Sequence, residues 1–489
     1  MSTLSLWVTP LWLVSFGATI GVVLMLVVYG LVWIVSRPAA AWMTRVVQES
    51  VLMPLGYVLM AMVALCVLAW PTVNVQEITD SLQRLPSVTR TVVENTVEVP
   101  AREEDKQVPL AFRSSELTEY TFLCDQDIRV ATEPGMAYDG PIALVEGDEP
   151  YTWTTGAKLP RGFQDDITAI YLTNEGDAPA AFTYRYATDV PIEAVHHLPV
   201  VVGSVVGVYA LYLLIQALLP GVGAITAATA KEAMGQPLFL LLTGIGSLLM
   251  VGFLFVPYNT FGEDVKLLLQ SGMEVTKVFA ILFAIWTAST SIADEIEGKT
   301  ALTLLSKPIS RRQFILGKFA GIVWPVLLIF VIVGAFLMTS VSYKVVYDAR
   351  ETSNPTPKWE ECYDTMAQAP PGLLLSFLEA VVLTAISVAL STRLPMLPNL
   401  IICGSVYVLG HLGALIVQSS LGQLEYVEFF GKLVAVVVPV LDHFSIEPAI
   451  AGGVPVPADY LLWATLYCVL YSTAAMLLAL ILFEDRDLA

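Results

Sequence analysis

The 489-residue sequence is 56% apolar and 14% charged, with a mean hydropathy of +0.70, which excludes an ordinary soluble domain, where about a quarter of residues carry charge. Its net charge is −19, but 22 acidic and 9 basic residues fall between Pro71 and Glu193, so most of the excess belongs to one segment. An acidic balance also excludes a nucleic-acid footprint, which needs clustered Lys and Arg.

In chain order, the apolar runs 11–35 and 51–70 form two N-terminal membrane helices within residues 1–70. A span takes about 17 to 25 largely apolar residues. The first run is too long for the apolar stretch of a cleaved signal peptide and has no basic residue before it. Arg37, the first charge, follows the run, which predicts an N-terminus outside. Residues 71–197 are then expected to form one small extracytoplasmic domain. Runs such as "YTFLC", "ITAIYLT" and "AFTYRYAT" tend to alternate, and "EPGMAYDG" and "NEGDAPA" break them with the Gly, Pro and Asp of turns. They read as antiparallel strands of a β-sandwich. Upstream, "RTVVENTVEVPAREEDKQ" reads as a strand followed by a charged linker.

A third span at 198–219 leads to six more, at 238–256, 275–292, 319–341, 373–390, 400–417 and 461–483. The runs at 373–390 and 400–417 are short, with polar interruptions. Lys and Arg mark the loops that stay inside. Arg37 and Arg45 follow the first run, Lys299, Lys307, Arg311, Arg312 and Lys318 the fifth, and Arg393 the seventh. Nine spans put all of these on one side, so these loops and the terminal "FEDRDLA" are expected in the cytoplasm. The fold class is a polytopic α-helical membrane protein of about nine transmembrane helices with a small extracytoplasmic β-rich, sandwich-like domain. The charge asymmetry fits a bacterial inner membrane.

Five cysteines (Cys66, Cys124, Cys362, Cys403, Cys468) stand singly, without metal-ligand spacing. The adjacent His196 and His197 are too few for a metal site and read as interfacial anchors. Cys124 and Cys362 are the two cysteines expected outside, where an oxidising compartment permits a bridge. Glu379 and His411 each lie about six residues from the outer end of their runs, roughly 10 Å deep at 1.5 Å per residue. Ionisable groups at that depth seek a partner, so the two are expected to pair, as an interhelical contact before a transport site. Glu274 and Lys277 read as interfacial and able to snorkel.

Between the fifth and sixth runs stands "DEIEGKTALTLLSKPISRRQFILGK", residues 294–318. Its triplet Gly298-Lys299-Thr300 ends like a phosphate-binding loop. That loop needs a Gly five residues earlier, where Ala293 stands, and a preceding strand rather than a span. No nucleotide site is therefore expected in this chain. The segment offers a short helical run carrying Leu302 and Leu305, a break at Pro308, an N-cap at Ser310 and a second helix entering the sixth span. A short helix between charges suits a groove on another protein.

This segment resembles the first cytoplasmic loop of the type-2 ABC exporter permeases, E-x-E-G-[RK]-T-x-x-x-L-L-S-K-P-[IV]-x-R-x-x-[FY]-x-x-G-K. Glu295, Glu297, Gly298, Lys299, Thr300, Leu304, Leu305, Ser306, Lys307, Pro308, Ile309, Arg311, Phe314, Gly317 and Lys318 stand at its positions. "TAKEAMGQP" is similar to the elbow helix that opens such permeases, here 224–236, with Thr229, Lys231 and Glu232 as its core. "VVPVLDHFSIEPAIAGG" and "FEDRDL" resemble the family's last outer segment and tail. The resemblance covers about 224–488 and implies a six-helix core, residues 221–489, of a half-transporter. The first three spans and the β domain are additions to it.

The resemblance implies that loop 294–318 couples to a separate ABC ATPase subunit, which holds the ATP and Mg. Glu295, Glu297, Gly298, Thr300, Leu304, Leu305, Lys307 and Arg311 are the residues it assigns to coupling. It also implies a second permease half, identical or sibling, set among membrane lipids. The function expected is a permease subunit, with no catalysis or cofactor of its own, serving export or mechanical transmission. The alternatives are a membrane-anchored receptor or scaffold acting through the β domain, and a membrane enzyme. An enzyme needs paired carboxylates, a Ser/His arrangement or a metal cluster at one depth, and only Glu379 and His411 come near. Nothing in the spans selects a substrate.

Overall fold

A computed structural model describes residues 3–48, 51–88, 91–138, 142–155, 162–163, 165–256, 263–293, 295, 310–353, 355–418, 438–446, 449 and 454–484. The chain forms two compact units, one of Met1–Val73 with Pro199–Ala489 and the other of Asn74–Leu198. The first opens with α1 (Thr3–Val35), α2 (Arg37–Gln48) and α3 (Leu52–Ala69). α1 and α3 are apolar all round, as lipid-facing spans are. They are tied where the Trp12 indole donates to Cys66 O at 2.9 Å. α2 is amphipathic: Arg37 and Arg45 are exposed, while Val46 and Val47 pack on Val51, Leu52, Tyr212 and Ala230.

The second unit begins with an amphipathic helix that the sequence reading did not anticipate, α4 (Val75–Val88). Its strands are β1 (Thr91–Val99), β2 (Lys106–Phe112), β3 (Leu117–Cys124), β4 (Ile128–Ala131), β5 (Ala143–Val145), β6 (Tyr151–Thr154), β7 (Ile167–Asn174) and β8 (Ala180–Thr188). They form two four-stranded sheets, β1-β8-β3-β6 and β2-β7-β4-β5, and every pairing is antiparallel. Period-2 burial along β2 and β8 sends Val108, Leu110 and Phe182 into one core with Phe122, Val130 and Leu172, so the two sheets are the halves of a sandwich. The chain changes sheet between β7 and β8. There the Asn174 side-chain amide donates to Pro100 O and Ala178 O, both at 3.0 Å.

The expected charged linker after β1 is a turn in which Arg102 and Asp105 take positive φ, and β2 follows it directly. The buried carboxylate of Glu116 receives Arg84 from α4 in a two-pronged contact, with Nη2 to Oε2 at 2.8 Å. Cys124 lies in the sandwich core and is a free thiol, as is the buried Cys362; the bridge between them is not formed.

The rest of the first unit is helical: α5 (Leu198–Leu218), α6 (Pro220–Gly235), α7 (Pro237–Phe253), α8 (Asp264–Ala288) with a π-helical turn Ser289–Ala293, α9 (Arg311–Glu351), α10 (Trp359–Met366), α11 (Ala369–Ser391), α12 (Met396–Gln418) and α13 (Ala458–Glu484). Each of the nine apolar runs coincides with a helix, overrunning it by three residues at most. Among the described residues, seven helices are long and apolar enough to cross a membrane; α6 and α7, bent by 64°, pass together as an eighth; and Met396–Leu412 of α12 is a shorter apolar stretch. The chain is a multi-pass membrane protein.

Two thirds of the apolar windows of the spans at α8 and α11 are buried, against about a tenth for those of α1 and α5. α8, α9 and α11 are thus the centre of the bundle and α1 and α5 its rim. One apolar core joins α6 to α9 with α11, α12 and α13. α9 is far longer than its apolar run: 41 residues, or about 60 Å at 1.5 Å per residue. Its distal end carries α10 and the start of α1. There Ser342 Oγ donates to Trp7 O at 2.8 Å, Trp7 meets Tyr343 edge-on, and Leu6, Val346 and Cys362 form a small core.

Candidate functional site

The segment that resembles a coupling loop runs from the end of α8 to the start of α9. Glu297, Gly298, Thr300, Leu304, Leu305 and Lys307 lie outside the described residues; Glu295 and Arg311 lie within them. Lys318, about two turns into α9 and 4% exposed, donates from Nζ to Glu295 Oε1 at 2.5 Å. The two ends of the segment are therefore held together by an ion pair. α9 starts at the expected N-cap. Ser310 Oγ accepts from Gln313 N at 3.2 Å, and Gln313 Oε1 accepts from Ser310 N at 3.0 Å, a capping box.

Arg311 reaches the end of α13, where Nη1 donates to Glu484 O at 2.8 Å and the guanidinium lies 5.8 Å from the Phe483 ring. Arg393, just after α11, donates from Nε to Leu482 O at 2.8 Å. Two cations thus satisfy carbonyls that the last turn of α13 leaves unpaired, at the negative end of its dipole.

Residues 224–236, expected as an elbow helix, lie almost wholly in α6, which ends at Gly235. Gln236 is extended, as a residue before proline tends to be, and Pro237 opens α7. Thr229 is buried and Lys231 and Glu232 are exposed. Thr229 faces Gly321 of α9, where an added Cβ would lie 2.6 Å from Thr229 Cβ and 3.0 Å from Thr226 O. At Gly317 an added Cβ would lie 2.6 Å from Ile225 Cβ. Gly317-x-x-x-Gly321 is thus a small-residue stripe that lets the two backbones approach, and Thr226 Oγ1 reaches Gly317 O at 3.3 Å across it.

A buried polar node ties the π-helical turn to its neighbours. Asn399 of α12, fully buried, has Nδ2 2.9 Å from each of Ser289 Oγ, Ser387 Oγ and Ser391 Oγ. Its Oδ1 accepts from Cys403 Sγ at 3.3 Å. With two N–H groups for three hydroxyls, the node satisfies two at a time. π-turns inside α-helices often mark functional positions, and this one immediately precedes residues 294–318. Sequence reading missed Asn399 because it stands just before an apolar run; Ser387 and Ser391, one turn apart at the end of α11, were the available signal.

Glu379 of α11 and His411 of α12 meet at 3.5 Å (Oε1 to Nε2). Lys277 of α8 joins them, with Nζ 3.5 Å from Glu379 Oε2 and 2.8 Å from Glu274 Oε1. Lys277 is 4% exposed, which corrects the expectation that it snorkels. α8 begins eleven residues before the apolar run, at Asp264, so Lys277 sits about 20 Å along the helix from its start rather than at its mouth. His411 Nδ1 lies 3.0 Å from Tyr407 O and so carries the proton. Its Nε2 then attracts Glu379 only if a second proton resides on the ring or on the carboxyl. Among the described residues no group of His, Cys, Asp and Glu is placed to hold a metal ion. His196 instead bonds Asp189, with Nε2 to Oδ1 at 2.8 Å.

The geometry is that of a helix bundle with an anchored segment at one end and an ion cluster inside, without a nucleophile–base pair among the residues singled out. No curated protein matches the chain. Residues 251–451, from the end of α7 to beyond the end of α12, match the family described as ABC-2 family transporter protein, in keeping with the resemblance of the motif at 294–318.

Proposed function

We propose that this chain is the membrane-spanning permease subunit of an ABC transporter. A separate ATPase subunit would engage residues 294–318 from the cytoplasm and drive export or mechanical transmission. ABC-2 permeases are in general non-catalytic and work with an ATPase partner, and the match over 251–451 supports that much directly.

The observation that carries the finer reading is the Glu295–Lys318 pair at 2.5 Å. A segment whose ends are pinned to one another and to α8 and α9 passes a push on to both helices at once. Arg311 extends the connection to α13, and Thr229 of the elbow helix packs on the same stretch of α9. On this reading Glu297, Gly298, Thr300, Leu304, Leu305 and Lys307 form the face presented to the ATPase, and a second permease half completes the pathway. The N-terminus and β unit lie outside, in a bacterial inner membrane.

The test is purification of the tagged chain from native membranes with assay of copurifying ATPase activity. The wild type is expected to bring down an ATPase, and Glu297→Arg to remain inserted while losing ATP-dependent activity. An ATPase-free preparation, or unchanged activity in that variant, refutes the assignment.

A further inference from the structure

Where α1 passes into α2 the surface holds an open cleft of about 480 Å³, lined by Tyr29, Trp33, Arg37, Thr44, Arg45 and Gln48. We propose that this cleft binds the phosphate headgroup of an anionic phospholipid.

The lining carries the first argument. It supplies two guanidinium groups, two hydroxyls, an amide and two aromatic rings, and no carboxylate, in a chain whose net charge is −19. Neither Arg37 nor Arg45 pairs with a carboxylate among the described residues; Glu49, the nearest acid in sequence, lies outside them. Arg37 Cζ lies 5.2 Å from the Trp33 ring centroid, which supports the cation on an aromatic face and leaves its N–H edge to donate. A guanidinium edge matches a pair of phosphate oxygens.

Position carries the second. α1 is apolar up to Val35, and Leu26, Leu31, Ile34 and Val35 are exposed along it. Acyl chains can therefore lie on α1 while the headgroup meets the first charges of the chain. Trp33 and Tyr29 stand at that boundary, where aromatic residues gather at membrane interfaces.

Rigidity carries the third. Thr44 Oγ1 donates to Ala40 O at 3.0 Å, so at its 3.0 Å contact with Tyr29 it accepts the phenolic proton. This bond fixes α2 against α1. The other face of α2 is anchored by Val46 and Val47. The two arginines are therefore presented on a fixed ledge. A free phosphate would find the same cations but make no use of the apolar wall.

The test measures binding of a fluorescent phosphatidylglycerol to the full chain in nonionic detergent, with phosphatidylcholine and inorganic phosphate as competitors. Arg37→Gln/Arg45→Gln is expected to weaken binding about thirty-fold, from the contribution of each basic residue near an anionic surface, and the double Lys variant to retain most of it. Neither competitor is expected to displace the probe. Gln48→Glu, on an exposed rim position, puts a carboxylate in the cleft without removing a packed contact; about five-fold weaker binding is expected. That variant decides the matter should the double variant fail to insert. Unchanged affinity in the folded variants overturns the proposal, as does inorganic phosphate that competes as well as unlabelled phosphatidylglycerol.

Discussion

Lys277 Nζ and Glu379 Oε2 lie 3.5 Å apart inside the helix bundle, with both side chains out of contact with solvent. Breaking a buried pair strands the remaining charge. Lys277→Met is therefore expected to destabilise the protein by about 3 kcal/mol, read by unfolding in mixed micelles. Lys277→Met/Glu379→Leu should cost less than the sum of the single changes by at least ~1 kcal/mol. Strict additivity would mean that the pair contributes nothing.

At the crossing of α6 and α9 the close contact of Gly321 is with Thr229 Cβ itself, an atom no rotamer change can move. Gly321→Ala should lower stability by about 1–3 kcal/mol, and Thr229→Gly in the same chain should recover part of it. A thermal shift that is the same with and without the second change would place the strain elsewhere.

Asn399→Leu removes the donor shared by Ser289, Ser387 and Ser391. We expect a loss of about 1–3 kcal/mol, and, if the π-turn leads motion into the bundle, a fall in ATP-dependent activity beyond that of a core variant of equal stability. Asn399→Asp keeps the size but not the donors and should behave as the Leu variant does. Full activity in both would separate the node from coupling.

Burial pushes the Cys124 thiol above its ordinary pKa, which lowers the reactive thiolate fraction near neutrality. Maleimide should label this residue, in a chain retaining it as its only cysteine, only on unfolding or as the pH is raised toward the shifted value. Rapid labelling of the folded protein at pH 7 would contradict its place in the sandwich core.

The apolar runs were legible because a span needs an unbroken stretch of hydrocarbon, and each coincides with a helix to within three residues. The helix ends were not: hydropathy reports where lipid begins, whereas hydrogen bonding carries α8 back to Asp264 and α9 on to Glu351. Lys277 was misplaced for that reason alone. Of the strands, β1, β3, β7 and β8 could be read because they are long and alternate. β4, β5 and β6, three or four residues each, fall below what a pattern resolves. Gly317 and Lys318 entered as letters of a family motif; the structure gives each its own physical work, as close packing against Ile225 and as the partner of Glu295.

α9 is about twice as long as the hydrocarbon layer, roughly 60 Å against 30 Å. One end is gripped at Ser310 and Lys318, and the other holds Trp7 and Cys362. A beam held in this way has mechanical advantage: tilting it by about 5° about one end swings the other by roughly 5 Å. On the proposed reading, a stroke delivered at the Glu295–Lys318 end would arrive at the first turns of α1 as displacement, with no molecule having passed between them.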